Sequence, residues 1–472
     1  STPSTSELRT CSSMFHIAVT LLSGQNTSIR VQGETRMDHI KREAQKNLKI
    51  GLYALVDPAG TLLKPWNRVR EVGLREGSSV TAVVRSAQLI GDRGARGFAV
   101  LRADGEVNCW GHPSFGGDCH RAQPQLKDVA KVVANCGAFA AIRCDGTVVT
   151  WGNPDCGGNC RKVQGQLQDV AHICPGNVPP YRPVIEGAFA AIRNDGHVVT
   201  WGSPGCGGDS SHVQDELHSI IEVRATCGAF AAVRADGRAI TWGGDVEATN
   251  ITQIQDQLQS VKCLFSNLRS FAAVRHDGRV ITWGCDIAGG DSYDVQDELY
   301  DVYDIAAVDL AFAAIKNDGS VVTWGNPKLG SNTSAVKSQL YDVQLVRGTA
   351  SSFAALRTDG KVITWGQPGA GGDSSSVQDE LYEVCQVVAA ESAFAALRSD
   401  GRIVTWGRAD IGGDSSAVQC QLRDVVTICS SRHAFSAIRA DGRVISWGRA
   451  DQGGDNSQIA SMDVFAIREC GE

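Results

Sequence analysis

Ten histidines and sixteen cysteines are the residues of this 472-residue chain best suited to metal or nucleophilic chemistry. The histidines are scattered, and no His-Glu-x-x-His pair, phosphate-cradling glycine loop or strand-to-helix nucleophile turn accompanies them. Cys156 and Cys160 stand close together, with Cys119, Cys136, Cys144 and Cys174 nearby, which is raw material for a zinc site. Against that reading, Cys119 and Cys160 hold one position in adjacent copies of a sequence repeat, and Cys156 and Cys206 hold another, so cysteine reads as a stand-in for Asp, Ser or another small residue.

Two further series recur. Asp118, Asp209, Asp291, Asp373, Asp414 and Asp455 each follow Gly-Gly and would make a ring of oxygen ligands for calcium, or simply cap turns through their side chains. Arg102, Arg143, Arg193, Arg234, Arg275, Lys316, Arg357, Arg398 and Arg439 would make a circle of charge for an acidic partner or phosphate, or pair with the Asp two residues on. The local reading is preferred in both cases. The chain is expected to be non-enzymatic, with no catalytic residues, no cofactor and no metal.

What positions these residues is a repeat. Trp-Gly occurs with Trp at 110, 151, 201, 242, 283, 324, 365, 406 and 447, at steps of 41 residues except one of 50. Phe stands twelve residues before each Trp, from Phe98 to Phe435, and Asp-Gly lies between them in every unit. Asp-Gly predicts a two-residue hairpin turn with Asp in the left-handed region, and the apolar run before each Phe predicts a third strand. Three short strands cannot bury both faces alone, so consecutive units must stack, and radial stacking predicts an all-β propeller of nine three-to-four-stranded blades, with seven blades the lesser alternative. Residues 463–467 read as a lone first strand that would complete the first blade. The long step contains Pro175, Pro179, Pro180 and Pro183, which predict a projecting loop without ladder pairing.

Over residues 88–472 the F-A-A-(I/V/L)-(R/K)-x-D-G-x-(V/I/A)-x-x-W-G text resembles the regulator of chromosome condensation (RCC)-like family of propeller repeats, and its spelling is similar to expanded repeat families of dinoflagellate algae. The resemblance implies a protein-binding platform, or alternatively guanine-nucleotide exchange on a small GTPase.

Residues 14–85 carry none of this text. Two alternating segments around a Ser-Gly turn, then Met37, Ile40, Ala44 and Leu48 on one helical face, then short strands and a final G-L-x-x-G-S-x-V-x-x-V run predict the order ββα, short strands, β. That order resembles the ubiquitin-like β-grasp fold, a small α+β domain. The last strand runs into Arg85-Ser86-Ala87 rather than Gly-Gly, which argues against conjugation. The resemblance implies that Leu22, Val56 and Val83 form an apolar docking patch.

The organisation expected is a flexible lead (1–13), a ubiquitin-like domain (14–85) and a propeller (86–472). Lys plus Arg is 45 against Asp plus Glu 52, a net charge of −7, which excludes a globally basic nucleic-acid binder. Apolar runs fall far short of the roughly 20 residues that span a bilayer. The expected function is an intracellular, most simply cytoplasmic, interaction scaffold or accessory subunit, with a plastid stroma or nuclear setting also open. Its partners are proteins, among which a ubiquitin-pathway protein, a small GTPase or a membrane complex is compatible. An adaptor in a ubiquitin-ligase pathway is a further alternative. Candidate contacts lie where the connectors depart from the common text: Asn177, Tyr181 and Arg182 in the insertion at 176–182, Glu247 in 245–252, and Lys328 in 327–334.

Overall fold

A computed structural model describes residues 14–21, 24–48, 52–63, 68–84, 87–91, 95–176, 186–455 and 457. The amino-terminal elements are β1 (Phe15–Leu21), β2 (Asn26–Val31), α1 (Met37–Leu48), β3 (Leu52–Val56), β4 (Leu62–Leu63) and β5 (Ser79–Val84), the order expected from periodicity. They make one mixed sheet ordered β2-β1-β5-β3-β4, with β1 and β5 parallel. Met37, Ile40, Ala44 and Leu48 of α1 are buried against Ile17, Val19, Leu55, Val80 and Ala82 of the sheet. Lys41 lies at the edge of this same face of α1: it is 6% exposed and its ammonium lies 3.8 Å from Asp128 of the repeat region.

The remainder is nearly all β, a succession of three-stranded antiparallel sheets consistent with a β-propeller. The first sheet is β6 (Gln88–Ile90), β7 (Gly97–Leu101) and β8 (Val107–Gly111); the second is β9 (Val129–Ala134), β10 (Ala138–Arg143) and β11 (Val148–Gly152). Seven more sheets of the same pattern follow, giving nine among the described residues. Each core cluster is drawn from two neighbouring sheets, as where Ala138, Ala140 and Ile142 of one meet Phe189, Ala191 and Trp201 of the next. Alanine keeps the backbones close enough for the aromatic rings to fill the gap.

The hairpin turns differ from expectation. Arg143 N–H donates to Thr147 O at 2.9 Å and Gly146 N–H to Arg143 O at 2.9 Å, so the connection has three residues, Cys144, Asp145 and Gly146. Only the glycine is left-handed, at φ +78°. Asp145 instead caps the turn, its Oδ1 accepting from Thr147 N–H at 3.0 Å. A three-residue hairpin ending in a left-handed glycine lets a carboxylate do this without steric strain.

The strained non-glycine residues lie elsewhere. Asp128, Asp169, Ser219, Ser260, Asp301, Asp342, Glu383 and Asp424 have φ between +51° and +60°, each just before the first strand of its sheet. There the chain passes under the preceding turn, and Val170 N–H donates to Gly146 O at 3.0 Å. A Cβ on Gly146 would sit 2.8 Å from Asp169 Cα, so the turn needs glycine for space as well as for φ.

The ninth sheet packs on the first. Every repeat Phe stacks on its Trp, with centroids 5.1 to 5.5 Å apart. Every repeat Trp Nε1 also donates to a backbone carbonyl of the preceding repeat, such as Trp151 to Gly116 at 3.1 Å and Trp242 to Gly207 at 3.1 Å. The series continues across the seam, where Trp110 donates to Gly453 O at 3.2 Å. Phe98, Val100 and Trp110 share an apolar cluster with Ala434, Ile438 and Val444. The closing strand expected at 463–467 lies outside the described residues, and the place beside β7 is taken by β6. Pro175, expected to prevent pairing, ends the strand Val170–Pro175 opposite Phe189. It sits on an edge strand, where proline is tolerated.

Candidate partner-binding face

Each sheet sends two kinds of loop to one rim of the repeat region: the link between first and second strands, and the connector after Trp-Gly. The Asp-Gly turns project from the opposite rim. The first-to-second-strand links form a chain of backbone hydrogen bonds from repeat to repeat. Cys227 N–H donates to Leu268 O, Leu268 to Asp309, Asp309 to Ala350, Ala350 to Glu391, Glu391 to Arg432 and Arg432 to Ala95, at 2.7 to 3.3 Å. This chain holds side chains from successive repeats side by side at fixed spacing.

Most connectors begin with a short 3-10 turn closed by a left-handed glycine, as at Pro368–Ala370 with Gly371 at φ +90°. The connector at 245–252 departs from this. It forms a four-residue helix, α2 (Val246–Thr249), whose N-cap Asp245 makes no side-chain capping bond. Val246 is 73% exposed there. The connector at 327–334 keeps its turn, capped by Asn326 Oδ1 accepting from Lys328 N–H at 3.0 Å.

These two connectors, the neighbouring connectors at Gly205 and Gln367 and several first-to-second-strand links line an open cavity of about 870 Å³. Its apolar walls include Val246, Leu268, Leu310 and Leu329, and its charged lining is Asp245, Glu247, Asp309 and Arg269. Arg269 Nη2 lies 3.2 Å from Glu247 Oε2 on the outer edge, whereas Asp309 is 6% exposed. A concave, mostly apolar wall with a few fixed charges is what a binding site for a protruding side chain or small ligand requires.

Two sequence candidates therefore meet here. Glu247 lines the cavity, and Lys328 is exposed beside the lining residue Leu329. Leu268, Arg269, Asp309 and Leu310 were not singled out, though their signal is present in the two residues before each repeat Ala-Phe or Ser-Phe, which vary from unit to unit. Val56 and Val83 are half-buried on the sheet face opposite Leu55 and Ala82, flanking Thr81. Leu22, Asn177, Tyr181 and Arg182 lie outside the described residues.

The other recurrent series are occupied locally. Eight of the nine basic residues pair with the Asp of their own turn, at 2.9 to 3.4 Å. The ninth, Lys316, sits 3.6 Å over the Tyr300 ring. The Asp of each Gly-Gly-Asp accepts a backbone N–H two residues on, as Asp209 does from Ser211 at 2.9 Å and Asp373 from Ser375 at 2.9 Å. Those bonds hold both carboxyls below their ordinary range. Cys119 and Cys160 donate to Gln123 and Gln164, in the same geometry as Ser210 to Gln214 and Ser292 to Gln296. Cys136 and Cys156 approach to 3.6 Å, and their mutual hydrogen bond together with burial pushes the Cys136 thiol well up. Among the described residues no group of three or more His, Cys, Asp or Glu converges as metal ligands, and no helix is long and apolar enough to cross a membrane.

No protein-family model matches this chain, and no curated protein matches it. Among solved structures it is similar to the ectodomain of the Physcomitrella patens receptor kinase CR4, at 12% identity over 59% of this chain and 74% of that one, with a TM-score of 0.37. It is likewise similar to Prp20p from Saccharomyces cerevisiae, at 15% identity over 63% and 74% of the two chains, TM-score 0.34. The designed protein Ika8 matches at 14% identity over 68% and 96%, TM-score 0.35. The architecture stands on the strand pairings and on the seam.

Proposed function

We propose that the chain is a non-catalytic protein-interaction scaffold whose repeats close into one nine-bladed RCC-like propeller, with the cavity at α2 as its partner-binding site. The observation that supports this reading is the cavity itself: two connectors that abandon the common repeat text contribute to its lining, and it joins links from several successive repeats into one concave surface. A rigid ring with variable loops suits binding, because recognition residues can change without disturbing the stacked core. The closed ring is supported by the seam contacts of Trp110 with Gly453 and of Arg432 with Ala95.

The amino-terminal sheet, ordered β2-β1-β5-β3-β4 over one helix, is read as a ubiquitin-like domain with Val56 and Val83 on its open face as a second docking patch. An intracellular setting fits the thiols that take the place of serine hydroxyls in sister repeats.

Affinity capture from native extract with the whole chain tests the main reading. Partners that are lost in the double variant Leu268→Asp and Leu329→Asp, but kept in Val56→Asp, place recognition at the cavity. Partners unaffected by the double variant overturn it.

A further inference from the structure

We propose that the cavity takes a basic side chain, arginine or lysine, presented by a partner protein on a segment with apolar flanking residues; this rests on the reading of the cavity as the binding site. Three carboxylates, Asp245, Glu247 and Asp309, line it against one guanidinium, that of Arg269, so the lining carries an excess of negative charge. Arg269 is held toward Glu247 on the outer edge, where both side chains are about half exposed at 42% and 58%. Asp245 stands outside that pairing, and Asp309 in the same lining is buried.

Asp245 is a partly exposed carboxylate of this lining. Aspartate at an N-cap ordinarily spends its oxygens on the first backbone N–H groups of the helix. Asp245 makes no such bond, although it stands at the start of α2 and lines the cavity. The Asp of each Gly-Gly-Asp turn, by contrast, is engaged with its own backbone.

The walls define the rest of the ligand. Leu268, Leu310 and Leu329 present aliphatic surface beside these acids, and Val246 extends it at the mouth. An arginine or lysine side chain combines a methylene stem with a charged head, and it matches an apolar wall that ends in carboxylates. The volume of about 870 Å³ accommodates more than one such side chain, so the neighbours of the basic residue also enter, and these walls favour aliphatic ones. A free metal cation would leave the leucines without a contact, and an acidic or phosphorylated segment would meet like charge.

The test uses the whole chain and three fluorescein-labelled peptides, Leu-Arg-Leu-Arg-Leu, Leu-Gln-Leu-Gln-Leu and Leu-Glu-Leu-Glu-Leu, titrated by fluorescence anisotropy at low and high salt. The arginine peptide is expected to bind about tenfold or more tighter than the glutamate peptide and to weaken with salt, as a charge-assisted contact should. Asp245→Asn is expected to weaken the arginine peptide by about tenfold and leave the glutamine peptide unchanged. Asp410→Asn, elsewhere on the same rim, serves as the control and is expected to change neither. Because Asp245 and Asp410 are solvent-accessible, both variants should keep the parent melting curve; Asp245→Glu, which retains the charge, is expected to retain most of the binding.

Equal affinity for the arginine and glutamine peptides, or arginine binding indifferent to Asp245→Asn, overturns the proposal. If the glutamine peptide still binds and is lost in Leu268→Asp and Leu329→Asp, the cavity remains the binding site and only its charge preference has failed. If no peptide binds and captured partners also ignore that double variant, the binding-site reading fails with it.

Discussion

Two arcs of the same rim are made from the same loop position and put their charges to opposite uses. On the arc beside the seam, Glu391 lies between Arg432, at 3.0 Å, and His433, with its side chain only 19% exposed. Burial opposes its ionisation, yet the hydrogen bonds from His433 and Arg432 overcome that and draw its carboxyl down from 4.5 to about 2. Arg96 adjoins this group; burial and the neighbouring Arg432 lower its guanidinium, and it stacks 4.5 Å from the Phe115 ring. Here the charges are consumed in holding the loops together. On the arc at α2, the corresponding links contribute Leu268-Arg269 and Asp309-Leu310, and the result is a cavity with acids along an apolar wall. One loop position is thus held in ion pairs or made part of a cavity wall according to what the next repeat presents to it.

The largest effect should come from breaking the seam, which carries the first arc and not the second. Trp110→Ala removes a ring that is 1% exposed, its stacking on Phe98 and its bond to Gly453. A loss of about 3–5 kcal/mol is expected in equilibrium urea denaturation. Peptide binding at the α2 cavity should persist wherever the variant remains folded.

Next in size is a direct contrast of ion pairs. Arg432→Met leaves Glu391 with a buried charge and one fewer partner, at an expected cost of about 2–3 kcal/mol, the low end for a buried pair because the site is not fully closed. Arg269→Met removes the exposed partner of Glu247 and should cost less than about 1 kcal/mol. Similar losses for the two variants would contradict the distinction between the arcs.

The pH dependence sharpens the same point. Because the folded-state carboxyl of Glu391 is depressed, its stabilising contribution is present in full above about 4.5 and is lost as pH falls toward about 2. The stability gap between the parent chain and Glu391→Gln should therefore be widest near neutrality and narrow progressively below pH ~4.5, read by denaturation at a series of pH values. A gap unchanged at about pH 3 would contradict the clamp.

The smallest effect is expected on the far rim. Ser219 is held at φ +55°, where glycine has no Cβ to clash. Ser219→Gly should raise stability by about 0.5 kcal/mol, the backbone relief being partly cancelled by added freedom in the unfolded chain, with a small upward shift in melting temperature. It should leave the cavity's ligand affinity unchanged.

Much of the scaffold was legible because it is written nine times. The Phe-to-Trp spacing, the Asp-Gly turns and the apolar first strands are local patterns, and repetition separates them from accident. The turn geometry was read only in part: Asp-Gly marks a hairpin, but whether Asp enters the left-handed region or caps the turn depends on the strand pairing that closes it. The left-handed residue before each first strand carried no signal, since Asp, Ser and Glu all occupy it. Of the candidate site, the divergent connectors pointed to Glu247 and Lys328. Leu268 and Asp309 escaped because their role depends on loops of other repeats.

The sequence alone determined the period, the aromatic pair of each repeat, the glycine of each turn and the separate character of residues 14–85, all consequences of side-chain size, polarity and backbone freedom within a few residues. Only the tertiary structure decided that Trp110 reaches Gly453 across the whole chain, that Lys41 is buried beside Asp128, and that two irregular connectors share one cavity. The physical reason is distance along the chain. Local preferences choose strands and turns, whereas which carboxylate meets an arginine and which lines a cavity depends on how the repeats stack on one another.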